Sequence, residues 1–214
     1  ARGEIENQGY KFLNFDISTF ELAAKNLTSR GYQVVRMGAG AEKPFGVRLA
    51  GVFDYALSPH RSEFLDLYIA AQCKFAVSTQ TGPDAVCLAF RRPVCYIDVT
   101  RFSQFFFGTK LAYWNPSELQ CDGKRLTLKE IVSNDVVWIK DPDDFISHGI
   151  QSIRSTPQEI ERLVNGFADL CESDFKMSPS DHDLSRRAQE IIETGMGESG
   201  TKTFGRITAQ LNPG

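Results

Sequence analysis

The chain has 214 residues, of which 42% are hydrophobic and 24% charged, and its net charge is −3. This composition is typical of a globular protein, and the length allows one full α/β domain with appended pieces or two small domains. The acidic balance argues against binding nucleic acid through a broad basic surface. No apolar run reaches the roughly 18–20 residues that a membrane-spanning helix needs. We therefore expect no nucleic-acid partner and no membrane span.

The cysteines and histidines point to no metal or disulfide framework. There are five cysteines, none in a Cys-x-x-Cys pair, and three histidines far apart in sequence. Cys73, Cys87 and Cys95 lie in apolar segments, where free cysteine behaves as a small core residue. This usage fits a reducing compartment, and the polar start at residues 1–4 shows no signal peptide. We predict a cytoplasmic protein and no metal site, with ligands dispersed through the sequence left open.

Apolar spacing between residues 17 and 98 predicts alternating helices and strands, after a lead-in segment over 1–16. The predicted elements are a helix over 18–30, strands over 32–37 and 52–57, a helix over 61–72, a strand over 74–78, a helix over 84–90 and a strand over 94–97. Four glycines and a proline make 38–51 a loop. Short apolar strands that alternate with helices indicate an α/β fold, with an open parallel sheet covered by helices on both faces.

The second half of the chain is less regular. Residues 99–126 are rich in aromatic side chains and predict no clear element. Beyond them the patterns predict a short helix over 126–132, a strand or extended segment over 136–139, a helix over 156–171 and a final helix over 179–193. The helix at 156 begins with a hydroxyl cap, a proline and a glutamate, the preferred residues for a helix start. We divide the chain into a domain over 17–175 and a C-terminal helix and tail over 176–214.

A polar turn at residues 75–84 is the most informative segment for function. The apolar run Phe75-Ala76-Val77 is followed directly by Ser-Thr-Gln-Thr-Gly-Pro-Asp and then by an apolar helix. Backbone N–H groups and the positive end of a helix dipole favour an anion such as phosphate at such a turn. The alternative is that Thr81 only caps the helix. The residues predicted to contact phosphate or sugar oxygens are Ser78, Thr79, Gln80, Thr81, Gly82 and Asp84.

Three other predicted strand ends, at 36–38, 57–61 and 98–101, also carry polar residues. Ligands of open parallel sheets bind beyond the carboxyl ends of the strands. An arginine at position 36 can bind phosphate in a bidentate manner, and a surface ion pair is the alternative. The candidate binding residues at these ends are Arg36, Gly38, Ser58 and Arg61. His60 is the local candidate for a catalytic base, with a surface or capping role as the alternative.

Four ordered motifs make the chain resemble a known family. They are RGYQVVRMG at 30–38, DYALSP at 54–59, RSEFLDLY at 61–68 and STQTGPD at 78–84. Together they resemble a bacterial family of glycosyltransferases found in surface-polysaccharide contexts. The resemblance covers about residues 10–135. It departs from the family at Leu13, where the family's Arg-Asn-x-Asp run has arginine.

The resemblance implies a GT-B-like architecture, in which two Rossmann-like domains face each other across a cleft. This chain resembles the C-terminal, donor-binding half, and the N-terminal Rossmann-like domain is expected to be missing. Arg36 and the 78–84 turn would then stabilise the departing nucleotide diphosphate without a metal or other cofactor. The catalytic base of an inverting transfer would come from the other domain.

The implied partners are a nucleotide-sugar donor and a glycan or other acceptor. The implied location is the cytoplasm, including the inner face of the membrane. Two other hypotheses stay open at this point: a nucleotide-sugar epimerase on a similar scaffold, and a non-catalytic module that binds glycan or protein.

Overall fold

The computed structural model of the chain describes residues 15–46, 48–101, 112–134, 136, 139, 142–173, 179–180, 183, 186–188, 190–191, 194 and 209–210. The helices in this part of the chain are α1 (Glu21–Ser29), α2 (Glu63–Gln72), α3 (Gly82–Ala89), α4 (Leu128–Ser133), α5 (Pro142–Ser147) and α6 (Pro157–Glu172). Short 3-10 helices cover Ile17–Phe20 and Tyr55–Leu57. The strands are β1 (Val34–Val35), β2 (Val52–Phe53), β3 (Ala76–Ser78), β4 (Val94–Val99), β5 (Ala112–Pro116), β6 (Glu118–Cys121), β7 (Lys124–Arg125), β8 (Ile150–Ile153) and β9 (Ala209–Gln210).

The strands of the described residues form three sheets. The largest has the order β3-β4-β5-β9, and all its neighbouring strands are parallel. Strands β1 and β2 form a separate parallel pair, while β6 is antiparallel to both β7 and β8. The connection between β3 and β4 runs through α3, whereas no helix is present among the described residues between β1 and β2.

Strand β4 lies between two apolar cores, one on each face of the sheet. Every residue of β4 is buried, and side chains of a strand alternate between the two faces of the sheet. Val94 and Tyr96 belong to one core, which includes Ala70 of α2 and Cys87 of α3. Cys95 and Ile97 belong to the other, which is filled by residues of α1 and α6. The prediction of an α/β fold with parallel strands flanked by helices is therefore confirmed.

Aromatic rings join α6 to the sheet in the second core. Phe167 is 1% exposed. Its ring centroid lies 5.5 Å from that of Phe75 and 6.2 Å from that of Tyr113. Phe75 in turn contacts the ring of Tyr32, which follows α1. Phe167 thus links α6 to Phe75, next to β3, and to Tyr113 of β5, and Phe75 extends the contact to Tyr32.

Local sequence signals set several helix ends as predicted. Thr156 and Glu159 form a reciprocal capping box at the start of α6, and Thr127 and Glu130 do the same for α4. Gly31 follows α1 at a φ of +88°, a left-handed conformation that glycine adopts without steric cost. Described positions between 179 and 194 are helical, as predicted for 179–193.

Several element predictions were wrong. The first two strands are only two residues long each. Residues 112–125, predicted to be irregular, hold three strands, and the unpredicted α5 and β8 follow between 142 and 153. Residues 136–139 were predicted to be a strand or an extended segment. Their described residues form no strand, because Val136 lies in a 3-10 turn and Ile139 has no regular structure. Most of the predicted lead-in segment lies outside the described residues.

Candidate functional site

The predicted polar turn joins β3 to α3. Gln80 takes a left-handed φ of 59°, and the helix begins at Gly82 with a proline in its first turn. Ser78 Oγ donates a hydrogen bond to Asp84 Oδ2 at 2.8 Å and accepts one from the Thr81 N–H at 3.4 Å. These bonds tie the strand end, the turn and the first turn of α3 into one unit.

The start of α3 differs from the starts of α4 and α6. Thr81 occupies the N-cap position in an extended conformation but makes no capping hydrogen bond through its side chain. A side chain placed at Gly82 would meet no atom within 4 Å, so the space in front of this helix end is open. The unsatisfied N–H groups at a helix start carry a partial positive charge. The open end of α3 therefore suits an anionic ligand.

A second contact brings a cation to this turn. The Gln80 side chain is 6% exposed. It donates to the Arg101 carbonyl at 3.1 Å and accepts from the Arg101 N–H at 3.2 Å. Arg101 Nη2 donates to the Gln80 carbonyl at 2.7 Å. The Gln80–Arg101 pair thus holds a guanidinium beside the turn. Sequence reasoning named the strand end 98–101 but did not single out this arginine.

Asp84 lies buried inside the turn, where it accepts the hydrogen bond from Ser78. It is 5% exposed. Burial raises the pKa of its carboxyl group, and the Ser78 hydrogen bond and the charge of Arg101 oppose that rise. Because one oxygen is already bound to Ser78, the carboxylate orders the turn from within.

Arg36 is held by the protein itself. Its Nη1 donates to the Lys43 carbonyl at 2.6 Å and lies 3.2 Å from Asp54 Oδ2. The same Asp54 oxygen accepts from the Phe45 N–H at 2.7 Å. Arg36 therefore fastens the loop that starts at Gly38 to the end of β2. This matches the alternative that sequence reasoning gave for Arg36, an ion pair with a carboxylate.

The other predicted residues near β2 form local contacts. Ser58 Oγ accepts from the His60 N–H at 3.2 Å, and His60 is exposed. Arg61 Nη2 pairs with Asp66 Oδ2 at 3.0 Å. The structure thus groups the predicted residues into two sets, one around Arg36 and residues 54–61 and the other in the turn after β3.

A second buried carboxylate at the sheet edge was not predicted as a site residue. Asp98, in β4, is 5% exposed and has a left-handed φ of 50°. Its two oxygens accept from Ser155, Oδ2 from the N–H at 2.9 Å and Oδ1 from the hydroxyl at 2.6 Å. Oδ1 also lies 3.4 Å from Asn115 Nδ2, a donor on β5. This Asp98–Ser155 contact joins the end of β4 to the start of α6.

The charges around Asp98 are matched. Burial raises the pKa of the Asp98 carboxyl, and the bonds from Ser155 and the charge of Arg154 oppose the rise. Burial lowers the pKa of Arg154, against the pull of Asp98. The Arg154 guanidinium lies 4.1 Å from the centre of the Phe15 ring, which adds a cation–π contact. The edge of the sheet therefore carries two ordered arginines, Arg101 and Arg154.

Two features are absent from the described residues. No group of three or more histidine, cysteine, aspartate or glutamate side chains is placed to hold a metal ion within that part of the chain. No helix there is both long enough and apolar enough to cross a bilayer.

Comparison with known proteins gives no family or relative for this chain. No protein-family model, curated protein or solved structure matches it.

Proposed function

We propose that this chain is the donor-binding domain of a glycosyltransferase that uses a nucleotide-activated sugar. The observation that carries the proposal is the open start of α3 at the carboxyl end of a parallel strand, with Arg101 beside it. Ligands of open parallel sheets bind at that end of the strands, and helix starts bind phosphate.

The charge balance of the turn supports an anionic ligand. Asp84 lies inside the first turn of α3, where its hydrogen bond to Ser78 consumes part of its acceptor capacity. The Arg101 guanidinium is fixed by the Gln80 carbonyl before any ligand arrives. A fixed guanidinium and backbone N–H groups can pair with diphosphate oxygens without a large ordering cost.

Among phosphate-bearing ligands, the sequence motifs favour a nucleotide sugar. The segments at 30–38, 54–59, 61–68 and 78–84 resemble those of a bacterial glycosyltransferase family that acts in surface-glycan synthesis. In the proposed GT-B arrangement this chain is the C-terminal half. An N-terminal Rossmann-like domain supplies the acceptor site and the catalytic base, and the protein works in the cytoplasm or at the inner face of the membrane.

The proposed chemistry needs charge stabilisation from this chain. When the bond between the sugar and the diphosphate breaks, negative charge grows on the leaving phosphate oxygen. The start of α3, the Thr81 hydroxyl and Arg101 stabilise that charge. Arg36 has an indirect role, because it holds the 38–51 loop to Asp54 at the neighbouring strand end.

Ligand binding tests the proposal directly. The chain is titrated with UDP, GDP and their sugar conjugates by calorimetry, and its melting temperature is followed in parallel. We expect at least one ligand to bind and to raise the melting temperature. A ligand at about 100 times its Kd stabilises the folded state by about 2.7 kcal/mol. No binding and no stabilisation with any of these ligands would contradict the proposal.

Matched variants test the site. Arg101→Gln removes the guanidinium and should weaken binding about tenfold or more, since charge-assisted hydrogen bonds contribute about 1.5–3 kcal/mol. Thr81→Ala should weaken binding about threefold to tenfold through loss of a neutral hydrogen bond. Arg125→Gln, on exposed β7, is the control for loss of one positive charge. Equal affinity in all three variants would remove the turn from the site, even if the chain binds nucleotide elsewhere.

A further inference from the structure

The carboxyl end of β4 departs from regular strand geometry. From Tyr96 to Val99 the strand advances by three residues, while its partner β5 advances by two, from Trp114 to Pro116. This mismatch is the pattern of a β-bulge, which bends a strand and redirects the residues that follow. Inside it Asp98 has a left-handed φ of 50°. Because this conformation is unfavourable for a residue with a side chain, the surrounding contacts must hold it in place.

Two polar residues hold the side chain of Asp98. Ser155 donates to it twice, from the N–H to Oδ2 at 2.9 Å and from the hydroxyl to Oδ1 at 2.6 Å. Asn115 Nδ2, on β5, lies 3.4 Å from Asp98 Oδ1 and 3.3 Å from Ser155 Oγ. The three side chains form a closed ring of hydrogen bonds, which we call the Asp98 clamp. Because Asp98 is 5% exposed, its carboxylate depends on these donors.

The chain between the Asp98 clamp and Arg101 is short and buried. Val99 is 0% exposed and Thr100 is 4% exposed. Directly after them, the Arg101 N–H donates to Gln80 Oε1 at 3.2 Å, and Arg101 Nη2 donates to the Gln80 carbonyl at 2.7 Å. The segment is thus held at both ends, by the clamp on one side and by the polar turn on the other. The direction in which β4 ends therefore decides where Arg101 lies.

We propose that Asp98 and Ser155 are positioning residues for Arg101. The Asp98 clamp holds the bulged end of β4 so that residues 98–101 bring the guanidinium of Arg101 to the turn before α3. Both residues act through Arg101 and not on a ligand. The role of Arg101 as a phosphate contact rests on the function proposed above, whereas the effect of the clamp on Arg101 is measurable in the chain without ligand.

The clamp also connects the two faces of the sheet. Helix α6 packs in one apolar core and α3 in the other. Ser155 directly precedes Thr156, the N-cap of α6, while Arg101 contacts the turn that leads into α3. A change at the start of α6 therefore reaches the turn through Asp98. Because such coupling is reciprocal, an anion bound at Arg101 should in turn slow hydrogen exchange at the Ser155 amide.

The start of α6 offers a matched control. Ser155 and Thr156 are neighbours, and each uses its hydroxyl in the described contacts. The Ser155 hydroxyl donates to Asp98, whereas the Thr156 side chain bonds to Glu159 within α6. Replacing either residue by alanine removes one hydroxyl from the same place, but only Ser155→Ala weakens the Asp98 clamp. The pair therefore separates positioning of Arg101 from a general loss of stability.

Amide hydrogen exchange, followed by NMR on the chain without ligand, tests the proposal. The exchange rate at Arg101 is divided by the rate at Cys95, a buried residue of β4 that reports global opening. We expect this ratio to rise about tenfold or more in Ser155→Ala, which loses a hydrogen bond to a charged group. It should stay within about twofold of the wild type in Thr156→Ala. An equal change in both variants, or none in Ser155→Ala, would overturn the proposal.

Three substitutions at position 98 separate the side chain from the backbone conformation. Asp98→Ala removes all the clamp bonds and should loosen Arg101 at least as much as Ser155→Ala does. Asp98→Asn keeps an acceptor for the Ser155 N–H and tolerates a left-handed φ, so exchange should return most of the way to the wild-type rate. Asp98→Gly adopts that φ without strain but lacks the carboxylate, so it should resemble Asp98→Ala. Wild-type exchange at Arg101 in Asp98→Gly would show that backbone conformation alone positions it, against the proposal.

Titration with inorganic pyrophosphate links the clamp to binding. We expect Asp98→Ala to raise the Kd of pyrophosphate about threefold or more, because fewer molecules hold Arg101 in the binding position. Thr156→Ala should leave the Kd unchanged. An unchanged Kd in Asp98→Ala, with pyrophosphate bound by the wild type, would overturn the positioning role. If the wild type binds neither pyrophosphate nor nucleotides, the proposed function fails, and the exchange ratio at Arg101 still decides whether the clamp positions this residue.

Discussion

Two buried carboxylates organise the edge of the sheet at the residue scale. Asp84 and Asp98 are each 5% exposed, and each accepts a hydrogen bond from a serine hydroxyl. A buried carboxylate without such bonds would cost several kcal/mol, so the serines are part of the site's stability. The arginines near them, Arg101 and Arg154, supply the opposite charge.

Asp98 predicts a pH dependence of stability. Burial raises its pKa in the folded state above the unfolded value of about 3.9. The folded state therefore holds this proton more tightly than the unfolded state, and this contribution is fully present below about pH 4. It is lost as the pH rises through the raised pKa. Asp84, whose pKa is also raised, acts in the same direction.

Urea unfolding at a series of pH values from about 4 to 7 measures this effect. Asp98→Asn should reduce the fall in unfolding free energy over that window, because the variant has no proton to lose there. Asp122→Asn, in the exposed turn between β6 and β7, is the control. A fall of equal size in the wild type and Asp98→Asn would show that Asp98 does not titrate differently on folding.

Helix starts give the clearest comparison at the scale of elements. Both α3 and α6 begin with threonine and proline, yet the Thr156 hydroxyl caps its helix and the Thr81 hydroxyl does not cap its own. The same residue type thus caps the helix through its side chain at the start of α6 but not at the start of α3.

Alanine at the two threonines should separate these roles. Thr156→Ala removes the bond from the Glu159 N–H and should lower the unfolding free energy by about 1 kcal/mol. Thr81→Ala removes no capping bond and should change it by less than about 0.5 kcal/mol. Urea unfolding of both variants measures the difference. Equal losses would mean that Thr81 stabilises α3 after all.

Helix ends were easier to predict than the strands in the second half of the chain. Helix ends at Thr127, Thr156 and Gly31 are set by residues within one turn, and the sequence pattern found them. Strand β5 pairs with β4, which precedes it in the chain. Strand β6 pairs with β8, which lies about thirty residues further along. Short strands of this kind are stabilised largely by packing against their neighbours, so a local sequence pattern identifies them poorly.

The two apolar cores on either side of β4 join α1, α2, α3 and α6 to the large sheet. Phe167 is 1% exposed and contacts Phe75 and Tyr113. Phe64, on the outer side of α2, is 71% exposed and stacks only partly on Tyr68, with 6.1 Å between ring centroids. Phenylalanine therefore occupies both a buried position, Phe167, and a largely exposed one, Phe64.

Truncation of these two rings tests the location of the core. Phe167→Ala should lower the unfolding free energy by about 3–5 kcal/mol, because it leaves a cavity between α6 and the sheet. Phe64→Ala should change it by less than about 0.5 kcal/mol. Chemical unfolding of the two variants checks this, with circular dichroism to confirm their helix content. A large loss in Phe64→Ala would indicate that the outer face of α2 is covered.

The sequence by itself determined the alternation of helices and strands up to β4, the helix starts at Thr127 and Thr156, and the polar turn after β3. Only the tertiary structure decided the partners in that turn and beside it. Gln80 meets Arg101, Arg36 meets Asp54, and Asp98 meets Ser155, at separations of 21, 18 and 57 residues. Capping and turn preferences act within a few residues and can be read locally. Charge pairs and buried hydrogen bonds form wherever the fold brings their groups together, so their partners become visible only once the sheet is assembled.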